Sequence, residues 1–177
     1  MVKRDNHYEA AFEGYLRGRQ IPYVGVDETR RALSGDESLK SLDFIVSPPA
    51  QPCSWLVDVK GRRFPTAGKQ FWRNWCTADE LRSLARWETL FGGRFAALLV
   101  FAYNVVGDQA PLPAEQLYEF RGSLYGFIAI RLDHYSSWSR PLSRRWDTVT
   151  VPVPRFRALA QNVEAFLQPP SAQRSAS

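Results

Sequence analysis

Asp58 and Lys60 stand two apart in an otherwise apolar run, Ser54-Trp55-Leu56-Val57-Asp58-Val59-Lys60-Gly61. In an extended chain residues i and i+2 project to one face, so Leu56, Asp58 and Lys60 share a side opposite Trp55, Val57 and Val59. An acid and an amine so placed make either a surface ion pair or one edge of a hydrolytic site. Two further acids bear on the choice. Asp43 lies in a second apolar run, Leu42-Asp43-Phe44-Ile45-Val46, and Glu9 lies near the start of a helical pattern. If the two runs are neighbouring strands, the Asp43 and Asp58 carboxylates converge at one end of the pair. Carboxylates crowded in this way raise one another's pKa unless a cation neutralises them. An all-oxygen ligand set suits a hard ion, Mg²⁺ or Mn²⁺, which activates water and stabilises charge developing on a phosphate. The expected metal ligands are Asp43, Asp58 and Glu9, with Glu9 acting directly or through water. Lys60 would orient or deprotonate the water, or pair with the phosphate oxygens.

The elements that position these groups are legible as patterns. Residues 7–17 carry Tyr8, Ala11, Phe12, Tyr15 and Leu16 at the spacing of a buried helical stripe. Asn6 is the expected N-cap, Glu9 the expected partner in a capping box, and Gly18 the expected stop. Strands are expected at 21–26, 42–46 and 55–60, the last ending at Lys60, with a turn-rich basic segment at 61–75. Thr77 and Glu80 form a second capping box opening a helix that ends at Gly92-Gly93. The unbroken apolar character of residues 95–103 reads as a central buried strand. Further strands are expected at 125–132 and 148–153, as antiparallel additions, and a last helix at 154–167. Residues 168–177, rich in Pro, Ser and Ala, read as a disordered tail after one domain spanning 1–167. The layout is α/β, with a mixed central sheet flanked by helices.

Composition narrows the classes. The chain has 177 residues, 45% of them hydrophobic, enough for one well-packed domain. No apolar run reaches the roughly 18–20 residues of a membrane span, and the polar start lacks the apolar segment of a secretory signal. A cytosolic protein with no membrane partner is the expectation. Two cysteines, not in a C-x-x-C arrangement, and two histidines argue against structural zinc. A net charge of +5 is compatible with a polyanionic partner. Glycine-rich phosphate loops and G-x-S-x-G are absent from the sequence.

After Lys60 the cations Arg62, Arg63, Lys69 and Arg73 interleave with Phe64, Phe71, Trp72 and Trp75. They form either a nucleic-acid surface, with cations on phosphates and rings under unpaired bases, or core aromatics with solvated charges. Arg140, Arg144 and Arg145, with Trp138 and Trp146, would extend that surface. For Glu9 the structural competitor is the helix macrodipole, since an acid is favoured in the first turn. Glu13, one turn on, is a solvated helix residue or a supporting one. His7 is a capping or packing residue, or an aid to proton transfer. His134 reads as structural.

Glu9 on an opening helix, Leu42-Asp43, and Asp58-Val59-Lys60 resemble, in that order, the motif of the PD-(D/E)XK nuclease superfamily. Leu42 replaces the proline of the pattern, which removes no ligand. Glu9-x-x-Phe12-x-x-x-Leu16 looks like the opening helix of archaeal Holliday-junction resolvases. The resemblance covers residues 7–103. It implies a restriction-endonuclease-like αβββαβ core and an Mg²⁺- or Mn²⁺-dependent endonuclease acting on DNA, on branched or single-stranded forms among others. It also implies a homodimer. His7-Tyr8-Glu9-Ala10-Ala11-Phe12-Glu13 also resembles the signature of the HYExAFE family, which groups His7, Tyr8, Glu9 and Glu13 as one cluster and assigns no activity. The alternatives are a catalytically inactive module of the same fold, holding nucleic acid or a protein, and an enzyme directed at RNA.

Overall fold

A computed structural model of the chain describes residues 6–27, 39–49 and 51–168. The stretch at 28–38 and the expected tail beyond Gln168 lie outside the described residues. The first helix, α1 (His7–Gly18), begins at Asn6, whose side-chain oxygen accepts the Tyr8 N–H at 3.1 Å. Its buried stripe is Ala11, Phe12, Tyr15 and Leu16, as the periodicity requires. Two details differ from the sequence expectation. The Glu9 carboxylate accepts the Asn6 side-chain amide at 2.9 Å. The left-handed residue after the helix is Gln20, at φ 54°, not Gly18. Gln20 and Ile21 donate their N–H groups to the Arg17 and Leu16 carbonyls, so the chain reverses two residues later than glycine placement suggests.

Three strands follow: β1 (Tyr23–Gly25), β2 (Phe44–Val46) and β3 (Ser54–Phe64). Next come β4 (Cys76–Thr77), α2 (Ala78–Phe91) and β5 (Phe95–Val105). The central sheet has seven strands in the order β1-β2-β3-β5-β7-β10, with β6 (Tyr118–Phe120) also paired to β7 (Ser123–Arg131) and β10 being Gln161–Asn162. β3 and β5 are parallel and the other pairs antiparallel, which makes the sheet mixed. β3 does not end at Lys60. It pairs with β5 from Ser54 to Phe64, because a buried strand must satisfy its backbone groups wherever a partner lies alongside, charged residues or not.

One face of the sheet, with Val57, Val59, Leu98 and Val100, packs against Phe12 and Tyr15 of α1. The other, with Leu56, Leu99 and Phe101, packs against Leu84 of α2, Tyr135 of α3 (Leu132–Trp138) and Phe156 of α4 (Val153–Leu159). Helices thus cover both faces of a single α/β domain.

The last third departs most from the sequence pattern. The short helix α3 carries no expectation. β8 (Arg140–Ser143) and β9 (Thr148–Thr150) join β4 in a separate three-stranded sheet instead of extending the central one. The helix expected at 154–167 is two pieces, α4 and α5 (Glu164–Leu167), separated by β10. Between them Asn162 pairs with Ile128 and the Val163 N–H bonds the Phe127 carbonyl at 3.0 Å, so the chain leaves helix geometry to complete the edge of β7.

Candidate active site

Phe44 pairs with Val57 at the start of β2, and Asp43 stands one residue before that pairing begins. Asp43 departs from the bonding pattern of β2: its N–H donates at 2.9 Å to the carbonyl of Val57, the residue opposite Phe44, while its carbonyl turns to the other side and accepts the Val26 N–H at 2.9 Å. The side-chain Oδ2 of Asp43 accepts the Val59 N–H at 2.7 Å. Both acids are buried, at 7% and 8% exposure, and the charge of Asp58 acts on Asp43. Two buried carboxylates so placed repel unless one holds a proton or a cation offsets their charge. Burial, then the charges of Asp58 and Glu9, push the Asp43 pKa well above the ordinary carboxylate range. Burial also raises Asp58, and Lys60 pulls it part of the way back.

Lys60 lies on the same face as Asp58, as the alternation requires. Its Nζ is 2.8 Å from Asp58 Oδ2 and 2.9 Å from Glu80 Oε1. Burial works against its charge, but the two carboxylates outweigh that effect and hold it above the usual lysine range. Glu80 is the site residue that the sequence reading missed. Thr77-x-x-Glu80 was legible as a capping box, and it is one: Thr77 Oγ1 accepts the Glu80 N–H at 3.1 Å and Glu80 Oε2 accepts the Thr77 N–H at 2.7 Å. The other carboxylate oxygen is left to reach Lys60 across the sheet face. Lys60 and the Thr77 N–H hold Glu80 below the ordinary glutamate range, against the opposing effect of burial.

These groups line one cavity of about 330 Å³. Asn6 and Glu9 contribute from α1, Asp43 from the approach to β2, Asp58 and Lys60 from β3, and Glu80 from α2. The segment before Asp43 is fixed to α2, because the Lys40 N–H donates to Ser83 Oγ at 3.1 Å and the Trp87 indole donates to the Lys40 carbonyl at 2.9 Å. α1 comes close enough to bring Glu9 in because β3 has no side chain at Gly61, where a Cβ would lie 2.1 Å from the Tyr8 ring.

Among the described residues, no three of His, Cys, Asp and Glu stand close enough to enclose an ion on their own. The Asp43–Asp58 pair does fit a hard cation: two buried acids in one cavity whose like charges a cation would offset, and room beside them for the waters that Mg²⁺ retains. Glu9 is near enough to act on Asp43 electrostatically.

The remaining expected residues separate. The His7 Nδ1 lies 2.8 Å from the Tyr125 hydroxyl, and its ring stacks near Tyr8. Glu13 accepts from the Tyr23 hydroxyl at 2.8 Å and pairs with Arg17. Neither lines the cavity, so the cluster implied by the opening heptapeptide divides among three sets of contacts. Arg63, Lys69 and Arg73 are exposed. Arg62 is not a surface cation: it donates to the Gly61 carbonyl at 2.7 Å and to the Trp75 carbonyl, with its guanidinium 4.1 Å from the Trp75 ring centre. The cause is that β3 continues past Lys60, so alternation turns residue 62 toward the α2 face. Phe64, Phe71 and Trp72 pack together with Tyr103 as core.

No family model matches the sequence, and no curated protein does. The fold itself is shared with a junction resolvase. The chain superposes on Archaeoglobus fulgidus Hjc, a Holliday junction resolvase from an archaeal hyperthermophile, with a TM-score of 0.53 and 12% identity, over 92% of this chain and 98% of that one. At that identity the likeness establishes the restriction-endonuclease-like architecture, covering the whole α/β domain and not only its first half.

Proposed function

We propose that this chain is a divalent-metal-dependent nuclease that hydrolyses phosphodiester bonds in DNA, with branched and single-stranded forms among its candidate substrates. The observation that carries the reading is one cavity lined by the buried acids Asp43 and Asp58, with the Lys60 ammonium 2.8 Å from Asp58. Asp43 and Asp58 would hold Mg²⁺ or Mn²⁺, and Glu9 would act on it directly or through water. When bound, such an ion lowers the pKa of water and offsets charge on the phosphate. The chain's own contribution is positional. Asp43, which lines the cavity, is fixed by the Val59 N–H that its Oδ2 accepts at 2.7 Å. Lys60, an ammonium between two carboxylates, orients the attacking water and draws the phosphate oxygens. Exposed Arg63, Lys69 and Arg73 supply phosphate contacts outside the cavity.

The resolvase likeness supports DNA over RNA, and a homodimer as the working assembly. No described helix is long and apolar enough to cross a membrane, which is compatible with a cytosolic nuclease. The test is a panel of linear, single-stranded and branched DNA with Mn²⁺, using wild type and Asp58→Ala. Wild type cleaves at least one member, and Asp58→Ala binds the same member without cleaving it. No cleavage together with no Mn²⁺ binding by calorimetry would leave a binding module of the same fold.

A further inference from the structure

A second cleft, of about 470 Å³, has Thr77 of the α2 cap in its wall. It is lined by Trp75 and Arg73 from the excursion after β3, and by Leu142 and Trp146 from the β8–β9 hairpin. Trp146 is 66% exposed and Leu142 53%, an unusual state for large apolar side chains that already border a concavity. The hairpin is anchored all the same. The Asp147 carbonyl accepts the Ala78 N–H at 2.8 Å, and the Asp147 carboxylate lies 3.5 Å from Arg82 of α2. Trp146 is therefore presented from a fixed turn.

The cleft and the candidate active site meet at one residue. Thr77 lines the cleft, caps Glu80, and lies 3.4 Å from the Lys40 ammonium at the rim of the catalytic cavity. Glu80 in turn holds Lys60. One helical turn thus separates an aromatic cleft from the lysine of the proposed site.

We propose that this cleft receives an unpaired nucleobase, stacked on Trp146, from the strand whose phosphates lead to Lys60. The inference rests on the nuclease reading. An aromatic face in a cleft bordered by cations is the arrangement that binds single strands, with cations tracking the backbone and rings stacking on bases. Arg73 lines the cleft, Arg144 flanks the turn, and the Arg145 guanidinium lies over the Trp146 ring at 5.1 Å, which leaves the ring's opposite face for a base; all three cations are exposed. The acid of that turn, Asp147, is engaged by Arg82. The hydroxyls of Thr77, Ser143 and Thr148 offer hydrogen bonds to the edge of a base. A duplex keeps its bases stacked, so the cleft selects a single-stranded or junction-adjacent nucleotide.

The experiment is binding, with chelator present so that cleavage cannot interfere. Fluorescence anisotropy compares a short labelled oligodeoxythymidylate with an abasic strand of the same length, on wild type, Trp146→Ala and Trp146→Phe. Wild type should prefer the base-bearing strand by at least fivefold, the lower end of what one stacked base contributes. Trp146→Ala should remove that preference and Trp146→Phe keep most of it, with circular dichroism of both variants unchanged. Equal binding of the two strands by wild type, absence of binding to either, or a preference that survives Trp146→Ala overturns the proposal. These outcomes stand whatever the cleavage panel returns. A failure of the nuclease reading appears instead as absence of Mn²⁺-dependent cleavage.

Discussion

Lys60 and Glu80 form an ion pair at 2.9 Å in which the acid belongs to the N-terminal cap of a helix. One carboxylate therefore closes the first turn of α2 and fixes the amine of the candidate site. The two duties can be separated. Glu80→Gln keeps an acceptor for the Thr77 N–H but removes the charge facing Lys60; Glu80→Ala removes both. Glu80→Ala should be less stable than Glu80→Gln by the capping contribution, about 0.3–1.5 kcal/mol. Both should lose cleavage rate, with Mn²⁺ affinity retained, since neither changes Asp43 or Asp58. Urea titrations and single-turnover kinetics on the two variants test this. Equal stability of the pair would show that the cap does not depend on Glu80.

Asp43→Asn should separate stability from activity. The buried carboxyl is forced up in pKa by desolvation and by the charges of Asp58 and Glu9. An amide of the same shape still accepts the Val59 N–H and adds no like charge. The metal-free melting temperature should stay level or rise, while the rise that Mn²⁺ produces in wild type disappears. Thermal melts of both proteins with chelator and with Mn²⁺ decide it. A marked fall in the metal-free variant would mean that Asp43 is a structural residue.

How far the site could be read in advance depends on the range of each interaction. The facing of Asp58 and Lys60, the Asn6 and Thr77 caps, and the buried stripe of α1 are local, set by periodicities of two and 3.6 residues. The neighbourhood of Asp43 and Asp58 needed one further assumption, that adjacent strands pair, and β2–β3 do. Glu80 escaped because its second bond crosses from α2 to β3, and a capping box gives no sign of where its spare oxygen points. Arg62 escaped because strand length depends on the partner: β5 carries β3 on to Phe64. The break at Ala160 has the same cause, since β7 offers its edge to residues whose own pattern is helical.

Gly61→Ala probes what brings α1 to the site. The added methyl would lie 2.1–2.6 Å from ring atoms of Tyr8, which packs against the core beside it. Either Tyr8 or the start of α1 must move, and Glu9 is the next residue. The expected loss is about 1–3 kcal/mol, the usual cost of overpacking. Tyr8→Ala in the same background should recover part of it, because it empties the space that the methyl needs. A double-mutant cycle by urea denaturation measures the coupling, and strict additivity would show that the ring is not the obstacle.

Cys76 gives a pH dependence with a definite sign. It is fully buried immediately before the Thr77 cap, and burial pushes its thiol from 9.0 up to about 11. Above pH 9 the unfolded chain releases this proton while the folded chain keeps it. The unfolded state then binds fewer protons, and stability falls as pH rises. The Cys76 contribution is present in full below about pH 9 and is lost across the interval up to the folded value of about 11. Buried tyrosines such as Tyr15, raised to about 12, add a slope of the same sign, so the comparison must be a difference. Cys76→Ala should have a shallower decline in unfolding free energy between those two pH values, whatever its overall stability. The same burial keeps thiolate out of solvent, so a disulfide reagent at about pH 8 should label Cys76 only as the protein unfolds. Parallel slopes for wild type and variant, or rapid labelling of native Cys76, would place the thiol in contact with water and contradict its position beneath α2.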